Sequence, residues 1–213
     1  MKKTVIIAHE NPIMRSGFSS LLKQFIEFES VECATAESVL VACKVKIPTL
    51  ILTSFTIPNM GALQLTTRLK ALSKKLRIIV CAAESSGYIA EKSIRNGAHG
   101  YITSSIAIPE FFHAIESVCN HDTYTEPYVS QKLALKKISG QQHVLDVLSP
   151  REFDIFSKVI LDKTAKEVAQ DLFLAEKTVS NYISIIKKKL HTKTSAGLLK
   201  VSLEEGYINT LNI

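Results

Sequence analysis

The chain has 213 residues, 46% of them apolar and 22% charged, close to the globular average and ample for one or two buried cores. That composition excludes a mainly disordered protein, and the longest apolar runs, such as Val5–Ala8 and Ile78–Ala83, fall far short of the roughly 18 residues that span a membrane. A formal net charge of +6 points towards a polyanionic partner.

Met1-Lys2-Lys3 is like the start of a signal peptide, but the apolar stretch after it ends at His9-Glu10-Asn11-Pro12, too early for a secretory segment. A soluble, cytoplasmic chain with no membrane partner is expected. Thr4–Ala8, Leu50–Thr53 and Ile78–Cys81 are apolar runs of strand length, as in central strands of a parallel sheet covered on both faces. Val31–Ala34 and Tyr101–Thr103 complete five. Between them lie helical periods. Pro12 suits a first turn, followed by Ile13, Phe18, Leu21, Leu22 and Phe25 at helical spacing. Glu37–Val45, Gly61–Leu69, Gly87–Asn96 and Ile108–Cys119 follow, with Gly97 placed to end the fourth helix and Phe112 and Ile115 in the core. This alternation predicts an α/β domain over residues 1–120, with a doubly wound five-stranded parallel sheet. Cys33, Cys43, Cys81 and Cys119 form no C-x-x-C pair and read as free, buried thiols.

Periodicity fades over residues 121–147, which read as a linker with Ser139-Gly140-Gln141-Gln142 as its joint. From 148 to 213 every element reads as helical, giving an all-α four-helix domain. Ser149-Pro150-Arg151-Glu152 is a capping box with proline at the first helical position. Thr164 and Glu167 repeat the device, Glu176–Leu190 and Ser195–Glu205 follow, and Gly206 stops the last helix.

Thr164–Leu172, Phe173-Leu174-Ala175 and Glu176–Tyr182 together have the pattern of a helix-turn-helix. Val168, Ala169 and Leu172 form the inner face of the first helix, and Val179, Ile183 and Ile186 that of the second. Ser180, Asn181, Ser184 and Lys187 then face outward, where a recognition helix meets the base edges of double-stranded DNA. Six lysines and one glutamate between Leu174 and Lys200 give that segment a charge of +5, while the stretch Asp146–Phe173 carries −2. Lys187, Lys188 and Lys189 are placed for phosphate. The competing reading, a helical module with merely solvated lysines, does not account for both the spacing and the local charge.

Leu148-Ser-Pro-Arg-Glu, Lys166-Glu-Val-Ala and Glu176-Lys-Thr-Val-Ser-Asn-Tyr resemble the LuxR-type DNA-binding domain, and the whole chain resembles the NarL/FixJ group of response regulators. The resemblance implies DNA contacts at Ser180, Asn181 and Ser184, with Lys177 and Thr178 near the phosphates. Thr164 is a further candidate contact, and because one module covers only a half-site a dimer on DNA is expected, either a homodimer or a heterodimer with another response regulator. Two departures stand out: Asp162 replaces the usual glycine before the second helix of this domain, and Ser180 and Ser184 stand where lysines are common.

In the first half, Ala8-His-Glu-Asn-Pro aligns with the receiver's acidic corner, Leu52-Thr-Ser-Phe-Thr with the strand bearing the phosphorylated aspartate, and Gly97–Ser104 with the loop ending in a lysine. The resemblance thereby places a degenerate phosphorylation site at His9, Glu10, Ser54, Ala82 and Ser104. A phospho-accepting site needs a nucleophilic carboxylate and acidic oxygens for Mg²⁺. All five aspartates of the chain lie after residue 121. Glu84, Ser85 and Ser86 are candidates to hold a small ligand in the emptied corner. The expectation is a transcription regulator that acts independently of aspartyl phosphorylation, with no cofactor, no metal and no enzymatic activity. The alternative is an adaptor that pairs with a phosphorylatable regulator and contributes little DNA affinity.

Overall fold

The computed structural model describes residues 2–24, 27–83, 86–131, 134 and 143–207. Two compact units emerge, Met1–Leu133 and Ala134–Ile213. Among the described residues no helix is long and apolar enough to cross a membrane.

The first unit alternates β1 (Lys3–Ala8), α1 (Pro12–Leu22), β2 (Phe28–Cys33), α2 (Ala36–Val45), β3 (Leu50–Ser54), α3 (Ala62–Leu72), β4 (Arg77–Ala82), α4 (Gly87–Arg95), β5 (Gly100–Thr103) and α5 (Ile108–Cys119). A two-residue strand, β6 (Tyr124–Thr125), pairs with β5 and makes the sheet six-stranded instead of the expected five. The strand order is β2-β1-β3-β4-β5-β6, all parallel. The chain reverses its winding between β1 and β3, so the carboxyl ends of those strands form the crevice where doubly wound folds place their chemistry. Residues 121–147, read as a linker, are therefore partly structured: β6 belongs to the sheet, and Val144–Val147 forms a 3₁₀ turn. The expected joint at Ser139–Gln142 lies outside the described residues, as does Phe25.

The β1 and β3 residues Val5, Ile7, Leu50 and Leu52 are buried because helices cover both faces of the sheet. Phe18 of α1 stacks on Phe111 of α5 at 5.3 Å within one apolar cluster. Phe111 is fully buried while Phe112 is only half-buried, and Ile13 is 78% exposed. Both differ from the helical-spacing expectation. Asn11 caps α1 through its Oδ1, which accepts the Ile13 N–H at 2.8 Å. Gly97 has φ +101°, the left-handed backbone that ends α4. Cys33, Cys43 and Cys81 are buried and Cys119 half-buried, all as free thiols.

The second unit contains α6 (Pro150–Val159), α7 (Ala165–Leu172), α8 (Glu176–Lys189) and α9 (Ser195–Glu204). Its core comprises Phe153, Phe156, Val168, Leu172, Val179, Ile186 and Leu198. Both predicted capping boxes form. Ser149 Oγ accepts the Glu152 N–H while Glu152 Oε2 accepts the Ser149 N–H at 2.8 Å, and Thr164 and Glu167 make the same exchange. Asp162, between α6 and α7, has φ +60°. This is the conformation glycine adopts most easily and aspartate tolerates. Glu205 Oε2 closes the unit by holding both His143 Nδ1 (2.6 Å) and the Val144 N–H (3.0 Å).

Candidate receiver pocket and nucleic-acid interface

The parallel sheet brings all five predicted pocket residues to one edge. His9 and Glu10 follow β1, Ser54 ends β3, Ala82 ends β4, and Ser104 follows β5. Ser54 and Ala82 are buried, while Ser104 is exposed, with its N–H on the Ala82 carbonyl (2.8 Å) and its hydroxyl on the Ala83 carbonyl (3.3 Å). Glu84 and Ser85 lie outside the described residues. Ser86 caps α4 through its Oγ, which accepts the Ile89 N–H at 3.3 Å.

Two residues that spacing did not single out complete the pocket. Thr56 Oγ1 donates to Glu10 Oε1 at 2.7 Å and lies 3.1 Å from Ser54 Oγ, which also accepts the Thr56 N–H at 3.2 Å. A serine–threonine–glutamate chain thus runs across the crevice. The signal available in the sequence was the hydroxyl two places after Ser54, since such residues bond locally in turns. Burial pushes the Glu10 carboxyl up, but hydrogen bonds from Thr56, the backbone and Ser54 outweigh it and hold the group below the usual carboxylate range. Arg15 donates to the carbonyls of His9 (2.6 Å) and Glu10 (3.1 Å), fixing a positive charge at the same corner. Burial lowers the His9 pKa, and its Nδ1 accepts the Asn11 N–H at 3.1 Å. An accepting Nδ1 means a neutral imidazole, so the 3.3 Å approach of His9 to Glu10 is not an ion pair at neutral pH.

In the second unit, α7 and α8 pack as the helix-turn-helix pattern requires. Leu174 N–H bonds to the Ala169 carbonyl across a turn in which Phe173 has φ +53°. Val179 and Ile186 are buried and Ile183 half-buried, so the opposite face of α8 meets solvent. Lys177, Ser180, Asn181, Ser184 and Lys188 are exposed there, while Thr178 and Lys187 are half-buried. Ser184 Oγ donates to the Ser180 carbonyl at 3.0 Å, which commits its proton and leaves the oxygen as an acceptor. Ile185, 44% exposed and four residues after Asn181, adds an apolar patch to the outward face that helical spacing could have revealed.

Two predicted contact residues also bond within their own unit. Lys189 is exposed but bends back onto the unit: its ammonium lies 2.7 Å from Glu152 Oε2 and 3.2 Å from the Val147 carbonyl. Three residues beyond the buried Ile186, its Cα sits on the flank of the inner stripe, within reach of the buried Glu152. Thr164 Oγ1 is engaged in its own capping box, donating to Glu167 Oε2 at 2.6 Å. The N-terminus of α8 differs from those of α6, α7 and α9. They are capped by Ser149, Thr164 and Thr194, whereas the cap position of α8 is Ala175, which has no side-chain acceptor.

A six-stranded receiver-like sheet and a helical unit with a helix-turn-helix define a class of two-part regulators, and comparison with known proteins gives the same answer. The response regulator receiver domain family matches residues 5–116, and the luxR family of bacterial regulatory proteins matches residues 146–201. The chain belongs to the luxR-type response regulators and is a DNA-binding transcription regulator. It is 24% identical over 208 residues to the transcriptional activator protein ExaE of Pseudomonas putida, covering 96% of this chain and 97% of that one. The response regulator GacA of Pseudomonas aeruginosa is also 24% identical over 208 residues, with the same coverage. A solved structure of RcsB from Salmonella typhimurium shares the fold with a TM-score of 0.70 at 21% identity, covering 94% of this chain and 96% of that one.

Proposed function

We propose that this regulator binds DNA through α8 without being controlled by aspartyl phosphorylation, its receiver serving as a pseudo-receiver. The observation that carries the reading is the occupant of the phospho-acceptor position. Ser54 is hydrogen-bonded into the Thr56–Glu10 chain, and the first 121 residues contain no aspartate. A neutral serine hydroxyl needs a base to attack phosphorus, and Thr56 is not one. The donor set also fails to fit Mg²⁺. Glu10 is the single carboxylate among the matched positions, and the Arg15 guanidinium already occupies the adjoining carbonyls. Ala82 and Ser104 supply neither the hydroxyl nor the lysine of a working receiver.

On the DNA side, Ser180, Asn181 and Ser184 read base edges, with Lys177, Thr178, Lys187 and Lys188 on phosphates. Thr164 and Lys189 hold the framework. One such module covers a half-site, so the chain acts as a dimer. The working division is a pseudo-receiver over 1–120, a connection over 121–147 and a DNA-binding domain over 148–213, in a cytoplasmic protein.

The experiment is phosphodonor treatment. Acetyl phosphate or beryllium fluoride with Mg²⁺ should leave mass, oligomeric state and DNA affinity unchanged. A Mg²⁺-dependent change in any of the three that Ser54→Ala abolishes would overturn the reading.

A further inference from the structure

A second basic cluster lies at the amino-terminal end of β4 and β5, opposite the receiver pocket. Five residues between Arg68 and Arg77 are basic and none is acidic, a local charge as high as that of the α8 segment. Lys70, near the end of α3, folds its ammonium over the following turn, onto the carbonyls of Lys74 (2.7 Å) and Leu76 (3.3 Å). Lys74 and Lys75 are exposed on that turn, and Arg77 opens β4. His99 and His121 come in from neighbouring loops. The Ile78 N–H donates to His99 Nδ1 at 3.3 Å, and Arg77 Nη2 bonds to His121 Nδ1.

The polar inventory of this cluster is one-sided. A backbone N–H can only donate, so the His99 imidazole accepts at Nδ1 and carries its proton on Nε2. Among the described residues Lys70, Lys74, Lys75 and Arg77 have no carboxylate partner. Arg77 Nε is buried without an acceptor among the described residues. Burial, then Lys70, Arg77 and His121, push the His99 pKa down to about 4, with no acid among the causes. What the surface offers is positive charge, that of the exposed Lys74 and Lys75, which calls for a ligand made of acceptors. The exposure of Lys74 and Lys75 favours an extended polyanion laid over an open surface.

We propose that this cluster contacts phosphates of the DNA backbone, a second DNA contact carried by the receiver unit and separate from α8. The proposal rests on the DNA-binding reading above. Free phosphate offers the same chemistry, so the test has two arms on the full chain. In the first, affinity for a long mixed-sequence duplex is measured against salt for the native chain and for Lys74→Ala/Lys75→Ala, whose exposed turn leaves the fold intact. The salt slope should fall by about 0.9 for each lysine that sits on a phosphate. In the second, inorganic phosphate is titrated while the His99 and His121 ring resonances are followed.

A reduced slope supports the proposal. An unchanged slope overturns it, and if phosphate still moves the two histidines, the cluster binds a free phosphate instead. Failure of the native chain to bind any duplex overturns this proposal together with the DNA-binding reading. An unchanged slope in the variant beside normal native binding overturns this one alone.

Discussion

The three consecutive lysines that end α8 should separate into two roles. Lys189 is bound to Glu152, whose side chain is only 7% exposed and whose Oε2 also closes the α6 capping box. Breaking a fully buried ion pair costs about 3–5 kcal/mol. Here the Lys189 side chain is 38% exposed and Glu152 keeps the Ser149 N–H, so solvent screening reduces the cost of Lys189→Met to about 1–2 kcal/mol. For a domain of this size that lowers the thermal midpoint by about 4–15 °C. The loss also depends on pH. Burial raises the Glu152 pKa, but the hydrogen bonds from Lys189 and Ser149 outweigh it and leave the group below its ordinary value. A depressed carboxylate contributes stability above its unfolded pKa and loses it as pH falls through the folded one. The Lys189→Met penalty is therefore full at neutral pH and fades in acid. Lys187→Met/Lys188→Met should do the reverse, leaving the midpoint in place and lowering the DNA salt slope by about 0.9 per phosphate contact. Calorimetry of the full chain and salt-dependent DNA titration measure both quantities. If Lys189→Met reduced the salt slope and left the midpoint unmoved, the pairing of Lys189 with Glu152 would be refuted.

Asn181→Ala should cost on the order of 1–3 kcal/mol at a preferred site and less on unrelated DNA, because an amide can pair bidentately with adenine. An unchanged ratio of specific to random binding would remove Asn181 from the reading set. Ala175→Ser supplies the missing cap of α8 and should stabilise it by about 1 kcal/mol, seen as a raised midpoint; no rise would mean that the first turn is already satisfied. Burial pushes the Asp154 carboxyl up to about 7, and its Oδ2 has no partner among the described residues. Between the ordinary aspartate pKa and about 7 the folded state holds the extra proton, so stability falls as pH rises through that window. Asp154→Asn should flatten that dependence, and equal slopes in variant and native chains would show that Asp154 is ionised and compensated.

Much of this architecture was legible locally. Continuous apolar runs identify the central strands β1, β3 and β4, because a parallel sheet covered on both faces buries every side chain. Ser149–Glu152 and Thr164–Glu167 mark helix starts, because a capping box involves only four consecutive residues. The absence of aspartate from the first 121 residues is a matter of sequence alone. The rest depended on which distant groups arrive. Helical spacing put Phe112 inward, but it is Phe111 that stacks on the Phe18 ring and is buried. The same spacing counted Ile13 with the inner face, yet that side chain is 78% exposed. The stretch after α5 lacked periodicity because two residues suffice for β6, and an edge pairing that short leaves no repeat to read. Thr56 joined the pocket only when the crevice between β1 and β3 brought it to Glu10, while Arg15 reaches the His9 and Glu10 carbonyls from the first turns of α1. Lys187, Lys188 and Lys189 are chemically identical in sequence. Only the tertiary placement of Glu152, thirty-seven residues from Lys189, drew the third back onto the unit, because a buried carboxylate recruits whichever cation the fold brings within reach.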